Sequence, residues 1–224
     1  MLRRVTKALT ARAVARMSPE PVSEVFGLDR GQAIDRHYIE GFLAAQSTRI
    51  RGRVLEIADD AYSRRFGHGV TGVDVLHAVS DNPKATIVGD LQDEATLPAG
   101  SFDCILLPQT LQFIVDPAAA LATCHRALKP GGAVLATVPG ISQVSRYDMD
   151  RWGDFWRFTD LSARRLFANE FGEAQVTVRT HGCVGSACAF LHGLAAEELD
   201  AKLLEAVDPD YQVLITVVAT VPAS

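Results

Sequence analysis

The sequence predicts an α/β fold, an open and mostly parallel sheet with helices on both faces. From Arg53 onward, short apolar runs alternate with stretches of helical periodicity, the order that builds a parallel sheet through crossover helices. The run Phe102-Asp103-Cys104-Ile105-Leu106-Leu107 has an unbroken apolar centre, as in a strand buried on both faces. At 224 residues and 48% hydrophobic, the chain is long enough for one well-buried core.

Each element can be justified in turn. Leu2, Val5, Leu9, Ala13 and Met17 fall at helical spacing among Arg3, Arg4, Lys7, Arg12 and Arg16, predicting a basic amphipathic helix. It could cover the body of the protein or dock peripherally on a membrane surface or partner. Pro19 and Pro21 end it. Residues 1–45 are expected to form an N-terminal helical or lid segment, and 46–224 the main domain. Val54 to Ile57, Gly69 to Val75, Thr86 to Asp90, Phe102 to Leu107 and Ala133 to Val138 read as successive strands. A helix over Ala118 to Leu128 stops at Lys129-Pro130-Gly131-Gly132, because proline cannot extend it and glycine suits its cap. A helix over Leu161 to Phe171, a strand over Gln175 to Thr180, a helical stretch near Ala187 to Ala206 and a strand over Tyr211 to Val221 complete the chain.

Composition excludes several classes. A formal charge of −5 gives no electrostatic footprint for nucleic acid. No stretch approaches the roughly 20 apolar residues of a membrane-crossing helix, so no integral membrane contact and a cytoplasmic location are expected. Cys104, Cys124, Cys183 and Cys188 form no CxxC pair and read as reduced core thiols. No cluster of carboxylates and histidines suggests a metal, and a metal-independent protein is expected.

Ligands of open parallel sheets sit beyond the carboxyl ends of the central strands. The loops there begin at Glu56, Asp74, Asp90 and Pro108. Asp74 has the spacing of a carboxylate that accepts from ribose hydroxyls, and Asp90 beside Leu91 can accept from an adenine amino group while the apolar neighbour covers the ring.

The segments Val54-Leu55-Glu56-Ile57, Gly72-Val73-Asp74, Gly89-Asp90, Leu97-Pro98-Ala99-Gly100-Ser101-Phe102-Asp103 and Leu128-Lys129-Pro130-Gly131-Gly132 resemble the successive motifs of class I S-adenosylmethionine (SAM) dependent methyltransferases, over about residues 50 to 140. The resemblance implies a Rossmann-like seven-stranded sheet whose last strand inserts antiparallel beside the fifth, with SAM as cofactor. It implies that Glu56 positions the loop and the methionine end of SAM. It places Asp74 on the ribose, Asp90 and Leu91 on adenine, and Gln109 beside the methyl donor. The family pattern Glu/Asp-x-Gly-x-Gly-x-Gly is altered, however: Ala58, Asp60 and Tyr62 stand at its glycines, where a missing Cβ lets the backbone approach the cofactor. Two readings follow, an altered pocket in which Asp59 or Asp60 accepts from the methionine ammonium, or a scaffold that kept the fold without the activity. A nicotinamide dehydrogenase on a related fold is disfavoured by the absent GxGxxG.

Both tryptophans lie in the block after strand five, and its Asp154-Phe155-Trp156-Arg157-Phe158-Thr159 is similar to an element of bacterial methyltransferases associated with polysaccharide or glycosyl-transfer functions. That resemblance implies a small polar acceptor such as a saccharide, gripped by Arg146, Asp150, Trp152 and Arg157 together with Tyr38 from the leader. Trp156 and Phe158 read more simply as anchors. Arg36, His37 and Tyr38 precede strand one, where the family's lid lies. An oxygen acceptor needs a base, for which His37, Asp148 and His181 are the candidates, His37 and Asp148 foremost.

Overall fold

In a computed structural model, which describes residues 10–223, the strands form one seven-stranded sheet in the order β3-β2-β1-β4-β5-β7-β6. They are β1 Gly52–Ile57, β2 Val70–His77, β3 Ile87–Val88, β4 Phe102–Pro108, β5 Leu128–Pro139, β6 Val176–His181 and β7 Leu214–Thr220. The first five are mutually parallel, and β7 runs antiparallel between β5 and β6, as the resemblance implies.

Side chains of a strand alternate between its faces, and β4 shows the consequence. Ile105 and Leu107 point into one core layer with α3 (Pro117–Ala127) and α5 (Asp160–Phe171). Cys104 and Leu106 point into the other with α1 (Ile34–Ala45) and α6 (Val184–Leu191). The helices begin where local chemistry allows. Asp116 accepts from the backbone N–H groups of Ala118 and Ala119 at the start of α3, with Pro117 in its first turn, and Thr159 and Ser162 form a capping box on α5. Short helices α2 (Ala61–Phe66), α4 (Arg146–Met149) and α7 (Ala201–Glu205) complete the structure.

Three expectations change. The helical stretch expected over Ala187 to Ala206 is broken into α6, a 3-10 turn at Ala196–Glu198 and α7. Gly193 interrupts it at φ 72°, and a Cβ there would lie 2.4 Å from the Ser23 carbonyl oxygen, so the leader's close approach excludes a continuous helix. Cys104 and Cys124 are buried thiols, the latter pushed up to about 12 by burial, but Cys183 and Cys188 are only half-buried. The first half of the expected basic helix lies outside the described residues; residues 10–14 are helical, with Arg12 and Arg16 exposed. No described helix is long and apolar enough to cross a membrane.

Gly193→Ala is expected to lower stability by about 1–3 kcal/mol, because alanine takes the left-handed region at that cost and its methyl meets the Ser23 backbone. A urea unfolding midpoint equal to that of the unaltered protein would contradict this packing.

Candidate functional site

The sheet order reverses between β1 and β4, the switch point at which ligands of such sheets collect. There two cavities, of about 670 and 530 Å³, share the walls Ile57, Ala58, Pro108, Gln109, Phe113 and Asp148 and so form one two-lobed cleft.

Glu56 sets its floor. Its carboxylate is 1% exposed and accepts from the backbone N–H groups of Tyr62 and Ser63, each at 2.9 Å, which are orphan donors at the start of α2. Burial pushes this carboxyl up and the Ser63 and Tyr62 bonds oppose the push. Between β1 and α2 the chain turns at Ala58, with φ 64°. This left-handed conformation is pinned by Ala58 N–H donating to the Leu76 carbonyl at 2.9 Å and by the Asn82 amide donating to the Ala58 carbonyl at 2.7 Å. Gln109, at the end of β4, also has positive φ, 49°. Strained residues thus end two adjacent strands, both on the cleft.

The altered glycine positions resolve individually. Asp60 is turned to Arg64 in an ion pair. The Tyr62 ring forms part of the wall of the larger lobe, and its hydroxyl accepts from Arg36 at 2.8 Å. Asp59 lines the larger lobe, and its Oδ2 takes a 2.7 Å bond from Lys84 that holds its carboxyl below the usual range. Its Oδ1 is buried without a hydrogen-bond partner, and so is Oε1 of Gln112 in the same lobe. Both residues line the larger lobe, whose wall sets these acceptors beside the guanidinium donors of Arg36 and Arg65. Asp90, Leu91, His77 and Trp152 line the smaller lobe.

Asp74, expected on a ribose, lies apart from both lobes. It sits within β2, opposite Leu55, and the strand continues to His77. Its carboxylate accepts from Arg53 Nε at 2.7 Å and from the Thr86 hydroxyl at 2.9 Å and lines neither lobe. Pairing with β1 persists through Ile57 and Leu76, so the side chain delivered to the carboxyl end is His77. Its Nδ1 lies 2.9 Å from the Val79 carbonyl, and its ring meets Trp152 edge-on at 5.5 Å.

His37 and Tyr38 also lie apart from the cleft. Helical rotation turns Asp35, Arg36, Ile39 and Glu40 of α1 toward the cleft, and His37 and Tyr38 toward a separate cavity beside β6 that also holds His181. Arg146 and Asp150 are exposed and line neither lobe; Arg146 bonds the Met149 sulfur. Arg157 does reach the larger lobe, but it spends its donors on Asp154 and on the carbonyls of Gln143 and Trp156. Burial works against ionising Asp154, and the Arg157 bonds outweigh it. Trp152 belongs to the smaller lobe, and Asp148, bonded by Ser145, to both. Trp156 donates to the Ile114 carbonyl at 2.9 Å and Phe158 is buried, which makes them anchors. Sequence reasoning missed His77, Gln112 and Asp35. Burial pushes the Asp35 carboxyl up, and its place in the first turn of α1 gave no sign of that. Among the described residues, no three His, Cys, Asp or Glu side chains come together as a metal site.

Residues 52–136 match a family model described as a methyltransferase domain. A SAM-dependent methyltransferase from Mesorhizobium loti superimposes at TM-score 0.52 with 18% identity, over 87% of this chain and 100% of that one. The chain has the Rossmann-like methyltransferase fold. A SAM-dependent methyltransferase from Archaeoglobus fulgidus shares this fold at TM-score 0.52 and 12% identity, over 83% of this chain and 94% of that one. So does the [4+2]-cyclase SpnF, at TM-score 0.55 and 18% identity, over 98% of this chain and 93% of that one. Among curated proteins there is no significant match. In that fold the cleft of this chain stands at the carboxyl edge of the parallel strands.

Glu56→Gln is expected to change the slope of stability against pH. The folded-state value of Glu56 is raised above its ordinary 4.5, so the folded state binds this proton more tightly than the unfolded chain does. Stability from this group is therefore lost as pH rises from about 4.5 through the raised value. Urea unfolding across that range should show the unaltered protein losing stability relative to Glu56→Gln as pH rises; the opposite slope would overturn the assignment.

Proposed function

We propose that the cleft binds SAM and that the protein transfers its methyl group to a small polar acceptor. What carries the reading is the two-lobed cleft at the switch point of a methyltransferase fold, with Asp59 and Gln112 in the wall of its larger lobe. Asp59 accepts from the ammonium of the methionine portion. Asp90 accepts from the adenine amino group and Leu91 covers the ring. His77 takes the ribose edge that Asp74 does not reach, and Gln109 stands beside the methyl donor. The cofactor supplies a methyl group already activated on a sulfonium, so the chain's own task is chiefly orientation and exclusion of water.

The larger lobe is the acceptor's place. Its Arg36, Glu40, Tyr62 and Arg65 combine charge with an aromatic face, the mixture that suits a saccharide or other polar small molecule. For a hydroxyl acceptor, Asp35 and Asp148 are the carboxylates able to take the proton, and the upward push on Asp35 brings it toward the range in which a base works best near neutral pH. Residues 26–40, which carry Asp35 and Arg36, act as the lid.

A second reading, a binding protein without methyl transfer, is favoured by the loop itself. Ala58 and Tyr62 occupy space that the family leaves to glycine, and a protein of similar fold bears the name of a cyclase. Calorimetric titration with S-adenosylhomocysteine separates the two. Micromolar binding is expected, weakened about tenfold or more (about 1.4 kcal/mol) by Asp90→Ala and by His77→Ala and left nearly unchanged by Asp74→Ala. No heat from a folded protein would favour the second reading, and loss of binding in Asp74→Ala alone would overturn the placement of His77.

A further inference from the structure

The cavity behind α1 has a composition that the cleft does not explain. It measures about 380 Å³ and lies between α1 and its following turn on one side and β6 and β7 on the other. Its ionisable lining is His37, Tyr38, Arg49, Arg179 and His181, with no aspartate or glutamate. In a chain of formal charge −5 that is a local reversal of sign.

These side chains also lack acidic partners. No described carboxylate forms an ion pair with Arg49, Arg179, His37 or His181. Arg49 makes one side-chain bond, from Nε to the neutral Gln46 amide oxygen at 3.1 Å. His181 is fixed by its Nε2 lying 3.2 Å from the Thr216 hydroxyl and by the Tyr38 ring at 5.5 Å. Tyr38 is 6% exposed, and its hydroxyl lies toward Ser186 of α6, so it is the ring that walls the cavity. Guanidinium groups suit phosphate oxygens, which they can bond in pairs.

We propose that this cavity is a binding site for a phosphomonoester, its phosphoryl group held by Arg49, Arg179 and His181. The volume supports an organic body beyond the anion: at about 30 Å³ for each water it would displace, the cavity has room for far more than a phosphate. The apolar surface for that body is supplied by Phe42, Ala45 and Val218. Burial and the neighbouring Arg179 charge push the His181 imidazole down, and a bound anion relieves the second of these. The site is independent of the proposed methyl transfer, since the two cavities share no lining residue.

The test is calorimetry on the full chain at constant ionic strength, with inorganic phosphate, glycerol 3-phosphate and glycerol as probes. Histidine side-chain NMR then locates the binding. One molecule of glycerol 3-phosphate is expected to bind per chain, more tightly than phosphate, with glycerol silent and the His181 ring signals shifting. Arg179→Gln and Arg49→Gln should each weaken binding about tenfold or more, and Arg179→Lys should retain part of it, while S-adenosylhomocysteine titration is unaffected. Absence of binding at millimolar probe overturns the proposal. So does binding of equal strength in both glutamine variants, which would place the anion elsewhere, for instance on the basic residues before Pro19. Phosphate binding as tightly as glycerol 3-phosphate would overturn the phosphomonoester assignment.

Discussion

The cleft depends on one buried carboxylate. Glu56 stands where β1 ends, and by accepting from Tyr62 and Ser63 it ties the strand to the first turn of α2. A charge so buried is costly unless it is hydrogen-bonded, and charge-assisted bonds to two otherwise orphan N–H groups offset that cost. The chain between these ends has little freedom left. Ala58 is held at one side by Leu76 and Asn82, and Asp60 at the other by Arg64. A loop that glycine would let bend freely is here bent by polar contacts on both flanks.

The helix α1 is the second organising element, because it separates two chemically different cavities. Ile34, Leu43 and Phe42 bury against the sheet, Arg36 and Glu40 face the cleft, and His37 and Arg49 beyond its end face the other cavity. The cleft side is of mixed sign; the far side is positive only. At about 100° per residue, neighbours in sequence part company within one step.

This geometry explains what was legible in the sequence. The strands were, since Cys104 to Leu107 fits a strand buried on both faces, and the antiparallel place of β7 followed from the motif resemblance. A place on the cleft wall was legible where a residue sits at a strand's carboxyl end by necessity, as with Asp90, Leu91 and Gln109. It was not legible where a strand's end had to be guessed. An aspartate looks like a terminator, but Val75 and Leu76 keep pairing with β1, and the carboxyl end shifts to His77. Nor could it be read where direction depends on helical phase, which is why His37 and Tyr38, expected at the cleft, line the cavity on the other side of α1. Gln112 was hidden for another reason: it reaches the cleft wall from the short 3-10 turn Leu111–Phe113 after β4, which no periodicity marks.

The missing glycines then weigh less than they do in a bare motif comparison. Glycine serves such a loop in two ways, by permitting φ above zero and by leaving room for close approach. The first need is met here without it, since Ala58 holds φ 64° at a strain of roughly 1–2 kcal/mol that the bonds on its flanks resist. The second need is met in part, because Asp60 is turned away to Arg64 and Tyr62 serves as wall. What remains against a bound cofactor is the Ala58 methyl and the position of the Tyr62 ring, and that ring is steered by its bond to Arg36. The leader helix thus sets the width of the lobe that the altered loop would otherwise close.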